Sequence, residues 1–347
     1  MALLQRLEFL LGKSLKEENN KNYRMEITKK EIPILFEEQC SVENFRKNIQ
    51  TRHMPAVLRG LSIGNCVELW KSPEYLLSKI PNKDVKIHVS TNPKQMDFRT
   101  KNFKYCVCGL HDLILSASES PEKPNKFYID PNEKYYLRST GDDPRGKDTV
   151  LFDRDYPELS ADFFLPKFYD EESLFSSVLR ISSADIRVWT HYDVMDNLYV
   201  QIVGHKKAVM WAPSEALNLY LDGDKSRVID IENTEKISKD FPNFFKAEQW
   251  IGDLIPGDIL YIPALWFHNM TAKDYGLAIN VFWKNLNSEL YDKKDPYGNK
   301  DLLPASKSLR MLDNVIRQLE DLPTDYKDFY GRQLISKIEK KCLQKPI

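Results

Sequence analysis

No run of about 18 apolar residues occurs anywhere in the 347-residue chain, so no segment is expected to span a membrane. Net charge is nearly absent: 50 basic against 51 acidic residues leave −1. No global field therefore draws the chain to nucleic acid, although a local patch would not show in the total. Cysteine is scarce. Five residues, an odd number without paired spacing, point to a reducing compartment, intracellular and either cytoplasmic or nuclear. Only Cys106 and Cys108 lie close together; one residue apart, they share a strand face and read as structural. The first eleven residues are apolar but interrupted by Arg6 and Glu8, with no small-residue cleavage site. They read as a helical extension rather than a targeting peptide.

What is present is a hydrophobic content of 42%, enough for one large β domain with helical additions. Residues 1–30 are polar and charge-rich, with Lys16 to Asn22 as a solvated linker. Ser41 caps a helix to Gln50, Pro55 to Leu61 is a strand and turn, and Pro73 opens a helix to Lys79. Val85 to Val89 alternates as a strand, with His88 on the face opposite the valines and Ile87; that face reads as solvated. Lys134 to Arg138 is a strand, and Tyr135 and Tyr136 point to opposite sides. Gly141 to Pro157 is charged and turn-rich, and is expected to be an exposed loop and a lid. Arg180 begins a strand interrupted at Ser182 to Asp185. Lys207 to Pro213, Arg227 to Ile231 and Gly276 to Trp283 are further strands, and Ser214 to Leu221 is helical. Several short antiparallel strands with turns between them indicate a jelly roll or related double-sheet barrel. After Trp283 the period changes. Pro304 to Leu322 and Thr324 to Cys342 are helical, parted by Pro323, with Leu309, Leu312, Ile316 and Leu319 on one stripe.

The chemistry concentrates in two segments. In an extended chain His191 and Asp193 face the same way, and one further imidazole completes a two-nitrogen, one-carboxylate set. That set suits non-haem Fe(II) and leaves coordination positions open. The third ligand is His268, which follows the strand after Gly257-Asp258 and the strand-ending Pro263. A structural zinc would want four ligands, often thiolates, and no Cys lies near either segment.

Together with Glu133 to Ser139, Arg180 to Ser183, Thr190 to Asn197, Ile262 to Asn269 and Tyr297 to Asp301, these segments resemble the JmjC family of Fe(II)- and 2-oxoglutarate-dependent oxygenases. They resemble in particular its branch of tRNA wybutosine-synthesising hydroxylases. The likeness spans roughly Ile32 to Lys341. It implies a double-stranded β-helix (cupin-like jelly roll) over 31–290, an N-terminal extension over 1–30 and a helical region over 291–347. It implies Fe(II) on His191, Asp193 and His268, with 2-oxoglutarate and O2 as cosubstrates. Lys206, rather than Lys207, would neutralise the distal carboxylate of 2-oxoglutarate, with the Tyr136 hydroxyl beside it. Asn197 would bond the oxo-acid group, and Asn280 is a further candidate, since a polar residue in so apolar a strand needs a partner if buried. Arg180 would hold a phosphate or the amino-acid carboxylate of the substrate. Many members anchor the distal carboxylate with a Thr three positions before the first ligand. Val188 stands there, which shifts that task to Tyr136 and Lys206.

The same likeness implies hydroxylation of the wybutosine-type modified guanosine beside the anticodon of phenylalanine tRNA, and a homodimer through the C-terminal helices. No membrane and no DNA partner are expected. Beyond Tyr330, Arg332, Lys337, Lys340, Lys341 and Lys345 against Glu339 alone form a basic surface for tRNA phosphates. The alternatives are a protein hydroxylase or lysyl demethylase using the same iron site, and a non-enzymatic scaffold, which the intact triad disfavours.

Overall fold

The computed structural model describes residues 27–141 and 148–343. Its strands in chain order are β1 (Lys29–Glu31), β2 (Ile34–Phe36), β3 (Ala56–Arg59), β4 (Asp84–Ser90), β5 (Lys104–Gly109), β6 (Lys134–Arg138), β7 (Leu174–Ser182), β8 (Asp196–Val203), β9 (Lys206–Trp211), β10 (Leu221–Asp222), β11 (Lys225–Ser226), β12 (Gln249–Leu254), β13 (Ile259–Ile262), β14 (Phe267–Ala272) and β15 (Gly276–Trp283). A four-stranded sheet runs β1-β12-β9-β14, and a nine-stranded sheet runs β2-β3-β13-β8-β15-β7-β6-β4-β5. From β8 to β9 and from β13 through β14 to β15 the chain passes between the sheets. The result is the double-stranded β-helix, mainly β with helical additions.

Period-two alternation explains both faces of the large sheet. On β8, Leu198, Val200 and Ile202 join Leu277, Ile279, Val281 and Trp283 of β15 in the main core, packed with Phe45, Trp70 and Leu113 from the N-terminal half. The intervening Asn197, Tyr199, Asn280 and Phe282 line the space between the sheets. Its closed end is filled by Val57, Ala208, Met210, Leu254, Leu260 and Ile262. The outer face of the small sheet is covered by Phe241, Phe244 and Phe245 against Val209 and Trp211. The β8–β9 turn requires glycine: Gly204 has φ +75°, and a Cβ there would lie 2.1 Å from the Tyr275 carbonyl oxygen.

Four local expectations are corrected. Arg180 lies near the end of β7, which begins six residues earlier at Leu174. Arg227 to Ile231 is not a strand. Val228 and Ile231 bury beneath the small sheet without a ladder partner, and Asp230 is fixed by an ion pair to buried Arg187 at 3.3 Å. The charged stretch from Gly141 to Pro157 is not an exposed loop over its described residues from 148 on. It folds into helical turns at Phe152–Asp155 and Pro157–Ser160, and Val150, Phe152, Tyr156 and Leu159 are buried. Residues 142–147 of that expected loop lie outside the described residues, as do the linker from Lys16 to Asn22, the helical reading of the first eleven residues and Lys345. The fourth correction, at His88, concerns the site itself.

The C-terminal helices Leu303–Glu320 and Thr324–Cys342 form as read, and neither contains a buried residue. Leu309 and Ile316 are 55% and 46% exposed, while Leu312 and Leu319 are half-buried. The helices lie outside the barrel rather than over it.

Candidate active site

His191, Asp193 and His268 offer ligand atoms that all lie within 4.8 Å of one another, and they form the only such group of three or more among the described residues. Backbone pairing brings them together. The His268 N–H donates to the His191 carbonyl at 2.8 Å, and the His191 N–H to that of His268 at 3.3 Å. The Asp193 carbonyl accepts the Leu265 N–H at 2.8 Å. Leu265 has φ +68°, a left-handed conformation that costs a leucine energy. Its neighbours hold it. Buried Asp196 accepts from the Ala264 N–H at 2.9 Å and from Tyr261 and Gln50 at 3.2 Å, and Trp266 donates to the His53 carbonyl at 2.7 Å.

The two imidazoles are oriented alike. Nδ1 of His191 lies 2.9 Å from the Trp189 carbonyl, and Nδ1 of His268 lies 3.1 Å from the Trp266 carbonyl. A carbonyl only accepts, so each Nδ1 carries a proton and each Nε2 is turned toward the site as the ligand atom. His268 Nε2 stands 3.6 Å from Asp193 Oδ2. Burial and the neighbouring His191 push the His268 pKa down to about 4, so its ring is neutral at pH 7. Two imidazole nitrogens and one carboxylate, with no fourth ligand among the described residues, fit a divalent iron with open positions better than a structural zinc.

Behind this face opens a cavity of about 380 Å³. Lys206 is buried in it with no carboxylate in salt-bridge range among the described residues. Its ammonium sits 5.3 Å from the Tyr199 ring centroid. Burial, with Arg180 nearby, pushes its pKa down to about 7. Lys207 turns outward and pairs with Glu232 at 3.1 Å, as strand alternation requires. The turn before Lys206 is secured by buried Gln201, whose amide donates to the Val203 and Gly204 carbonyls.

Tyr136 lines the cavity while Tyr135 faces the opposite core. The Tyr136 hydroxyl accepts from Arg180 Nη1. Arg180 Nε donates to Asn280 Oδ1 at 2.9 Å, and Asn280 Nδ2 donates to Asn197 Oδ1 at 3.0 Å. Asn197 Nδ2 is buried without a partner. One chain of bonds thus links Tyr136, Arg180, Asn280 and Asn197 and ends in a free donor. The set of cavity-lining residues identified from the sequence, Val188 included, falls in one place.

Several cavity residues carried no role in the sequence reading. Arg138 is half-buried, its pKa pushed down to about 10 by desolvation and Arg180, and its Nη1 has no partner. His88 faces the cavity rather than solvent: burial drives its pKa down to about 4, and its Nδ1 is unpartnered. The face opposite Val85, Ile87 and Val89 is the interior of the barrel, not its outside. Tyr199 and Trp189 could have been found by counting in twos from Asn197 and His191. Tyr297 and Asn299, on a loop, carried no periodic signal.

A family model described as a cupin-like domain matches residues 42–289. Among curated proteins, the chain is 44% identical over 320 residues to tRNA wybutosine-synthesizing protein 5 of Danio rerio, covering 92% of this chain and 95% of that protein. It is 43% identical over 314 residues to the human protein of the same name, covering 90% and 98%. It is also 33% identical over 336 residues to tRNA wybutosine-synthesizing protein 4 of Neurospora crassa, covering 94% of this chain but 26% of that longer protein.

Proposed function

Because the chain belongs to the cupin-like family, in the branch that holds the tRNA wybutosine-synthesizing protein 5 relatives, we propose that it is an Fe(II)- and 2-oxoglutarate-dependent tRNA hydroxylase. Its substrate is the wybutosine-type modified guanosine of phenylalanine tRNA. One C–H bond becomes C–OH, O2 is consumed, and 2-oxoglutarate leaves as succinate and CO2. The observation that carries this reading is the juxtaposition of the His191, Asp193 and His268 group with a buried cation lacking a counter-ion, Lys206.

Iron bound to that group supplies the activation of O2 and the oxidation of the substrate C–H bond. The chain's own residues position and protect. Lys206 takes the distal carboxylate of 2-oxoglutarate, and the Tyr136 hydroxyl donates to it. Asn197 Nδ2, unpartnered in the described structure, donates to the oxo-acid end. Arg180, expected at the substrate, bonds to Tyr136 and Asn280, which supports a role in orienting those two side chains toward the cosubstrate. Val188, Ile262, Met270 and Phe282 contribute apolar lining, which limits water near the metal face.

The proposed arrangement keeps 31–290 as the oxygenase domain, 1–30 as an extension and 291–347 as the helical region. Two copies join through that region. Leu309 and Ile316 are exposed on one helical stripe, the same stripe is present on every copy, and a two-fold pairing buries it against itself. Arg332, Lys337, Lys340 and Lys341 on the second helix face tRNA phosphates. No helix among the described residues is long and apolar enough to cross a membrane.

The test is turnover of purified protein, Fe(II) and 2-oxoglutarate with phenylalanine tRNA carrying the wybutosine-type base. A mass increase of one oxygen on that nucleoside, matched by succinate, is expected. Succinate formation stimulated by a peptide and not by this tRNA overturns the reading.

A further inference from the structure

The cavity has a second set of features that the iron and cosubstrate do not use. Two tyrosines stand at its exposed rim, Tyr105 at 54% and Tyr297 at 40% exposure. Each carries a cation near its ring. Lys86 Nζ lies 4.8 Å from the Tyr105 centroid, and the Arg138 guanidinium lies 4.8 Å from the Tyr297 centroid. A third pair, Lys225 and Phe98 at 5.6 Å, lies beside the same opening. A cation on one face of a ring leaves the other face for stacking.

The two tyrosines come from different parts of the fold. Tyr105 is on the edge strand β5, where it pairs with His88 in register, their rings 4.6 Å apart. Tyr297 is on the loop after β15. That loop is wound around the buried Asp295 carboxylate, which accepts the N–H groups of Tyr297 and Gly298 at 3.0 Å and of Lys300 at 2.8 Å. Gly298 has φ +72°, and a Cβ there would come 3.0 Å from Phe175, so the loop's path requires glycine. Its far end is tied to the metal-bearing segment: Tyr192 donates to Asp301 at 2.7 Å. Both tyrosines line the same cavity.

The charge of the cavity narrows the ligand. Its lining carries Lys86, Arg138, Arg180, Lys206 and Lys225 but only two carboxylates. Asp193 belongs to the metal face, and Asp224 is paired to Lys225. Among the described residues of the lining, no acid remains to receive the ammonium of a lysyl side chain. An anionic, flat ligand fits: a base with its flanking phosphates.

We propose that Tyr105 and Tyr297 are the two jaws of a clamp that holds one planar base, swung out of an RNA strand, above the metal face, with Lys86 and Arg138 supplying positive charge to its flanking phosphates. The proposal rests on the tRNA-hydroxylase reading and adds the residues that select the base. Enzymes acting on a base must extract it from its stack, and two fixed aromatic faces compensate for the stacking it loses. The half-buried His88 packs against Tyr105 and keeps an unpartnered ring nitrogen.

The test compares binding of two anticodon stem-loop RNAs, one with the wybutosine-type base and one with ordinary guanosine, to the full chain without iron or 2-oxoglutarate. Wild type is expected to prefer the modified RNA. Tyr105→Ala and Tyr297→Ala should each weaken binding of that RNA by between about 5-fold and 150-fold, the range for one base–aromatic stack, and so erase the preference. Tyr105→Phe and Tyr297→Phe should retain it. Tyr105, on an exposed strand edge, keeps the test valid if Tyr297→Ala disturbs its loop. Unchanged preference in both alanine variants, in a wild type that hydroxylates the tRNA, overturns the clamp and leaves the reading standing. A wild type that neither prefers nor oxidises the modified RNA overturns both.

Discussion

The two ends of the cavity are completed to different degrees. At the metal face the outer bonds are already made: both Nδ1 atoms sit on backbone carbonyls, and the strand carrying His268 is pinned to the one carrying His191. At the cationic end they are not. Lys206 has no carboxylate partner among the described residues, and Asn197 Nδ2 and Arg138 Nη1 have no partner. A metal site needs its ligands fixed before the ion arrives. A site for a dianion needs charge and donors held out of water, and pays with stability until the anion comes.

The largest predicted effect breaks the metal face. Asp193→Ala removes the only carboxylate of the group while leaving both histidine orientations, which depend on carbonyls. Loss of an outer-shell partner typically costs about 10- to 100-fold, so loss of a ligand should lower tRNA-dependent succinate formation by more than about 100-fold. Circular dichroism should be unchanged. Turnover within about tenfold of wild type would show that Asp193 is not a ligand.

A smaller effect of opposite sign in stability sharpens the contrast at the other end. The Lys206 pKa is about 7 in the folded protein and about 10.4 in an unfolded chain. Below pH 7 both states are protonated and the burial penalty is fully present, on the order of 4 kcal/mol. It fades as pH rises from 7 toward 10.4, where the unfolded chain still holds the proton and the folded one does not. Lys206→Met should therefore raise the Tm of the ligand-free protein at pH 6.5, with a gain that shrinks by pH 9. It should also weaken 2-oxoglutarate binding, by calorimetry, by at least about tenfold. In wild type, the dissociation constant should climb by up to about tenfold per pH unit above pH 7 as the ammonium is lost; in the variant that slope should vanish. Equal pH slopes in the two proteins would remove Lys206 from the anion site.

The metal face was more legible in the sequence than the cationic end, for a physical reason. His191 and Asp193 lie two apart on an extended segment, and His268 is flagged by Gly257-Asp258 and Pro263, so local rules suffice. Alternation also separates Lys206 from Lys207. It does not say which side of a strand faces inward. Alternation alone puts His88 on the face opposite 85, 87 and 89, which reads as solvent, whereas β4 is covered on one side by helices and lines the cavity on the other. The orphan donors arise from pairings between residues up to about 100 positions apart, such as Arg180 with Asn280, which no local pattern reports. The segments at 141–157 and 227–231 depart from their sequence pattern for a related reason. Their charge and alternation are local, but burial beneath other elements decided their structure.

The smallest effect is expected from the tail, and it tests whether both ends of the cavity are built from one chain. Every residue lining the cavity precedes Lys300, and the C-terminal helices begin at Leu303. Leu312 is half-buried on the stripe that also carries exposed Leu309 and Ile316. Leu312→Asp places a charge in the proposed two-fold contact, where its desolvation has no compensating cation on that stripe. Sedimentation should show a shift from dimer to monomer at micromolar concentration. Affinity for 2-oxoglutarate, and for Fe(II) read by anaerobic titration, should stay within about twofold of wild type, as for sites distant from a substitution. A monomer that loses 2-oxoglutarate binding would mean that a second copy completes the cationic end, and its unpaired donors would then be the mark of a missing partner rather than of a waiting anion. A variant that remains a dimer would place the subunit contact elsewhere and leave the exposed stripe without an occupant.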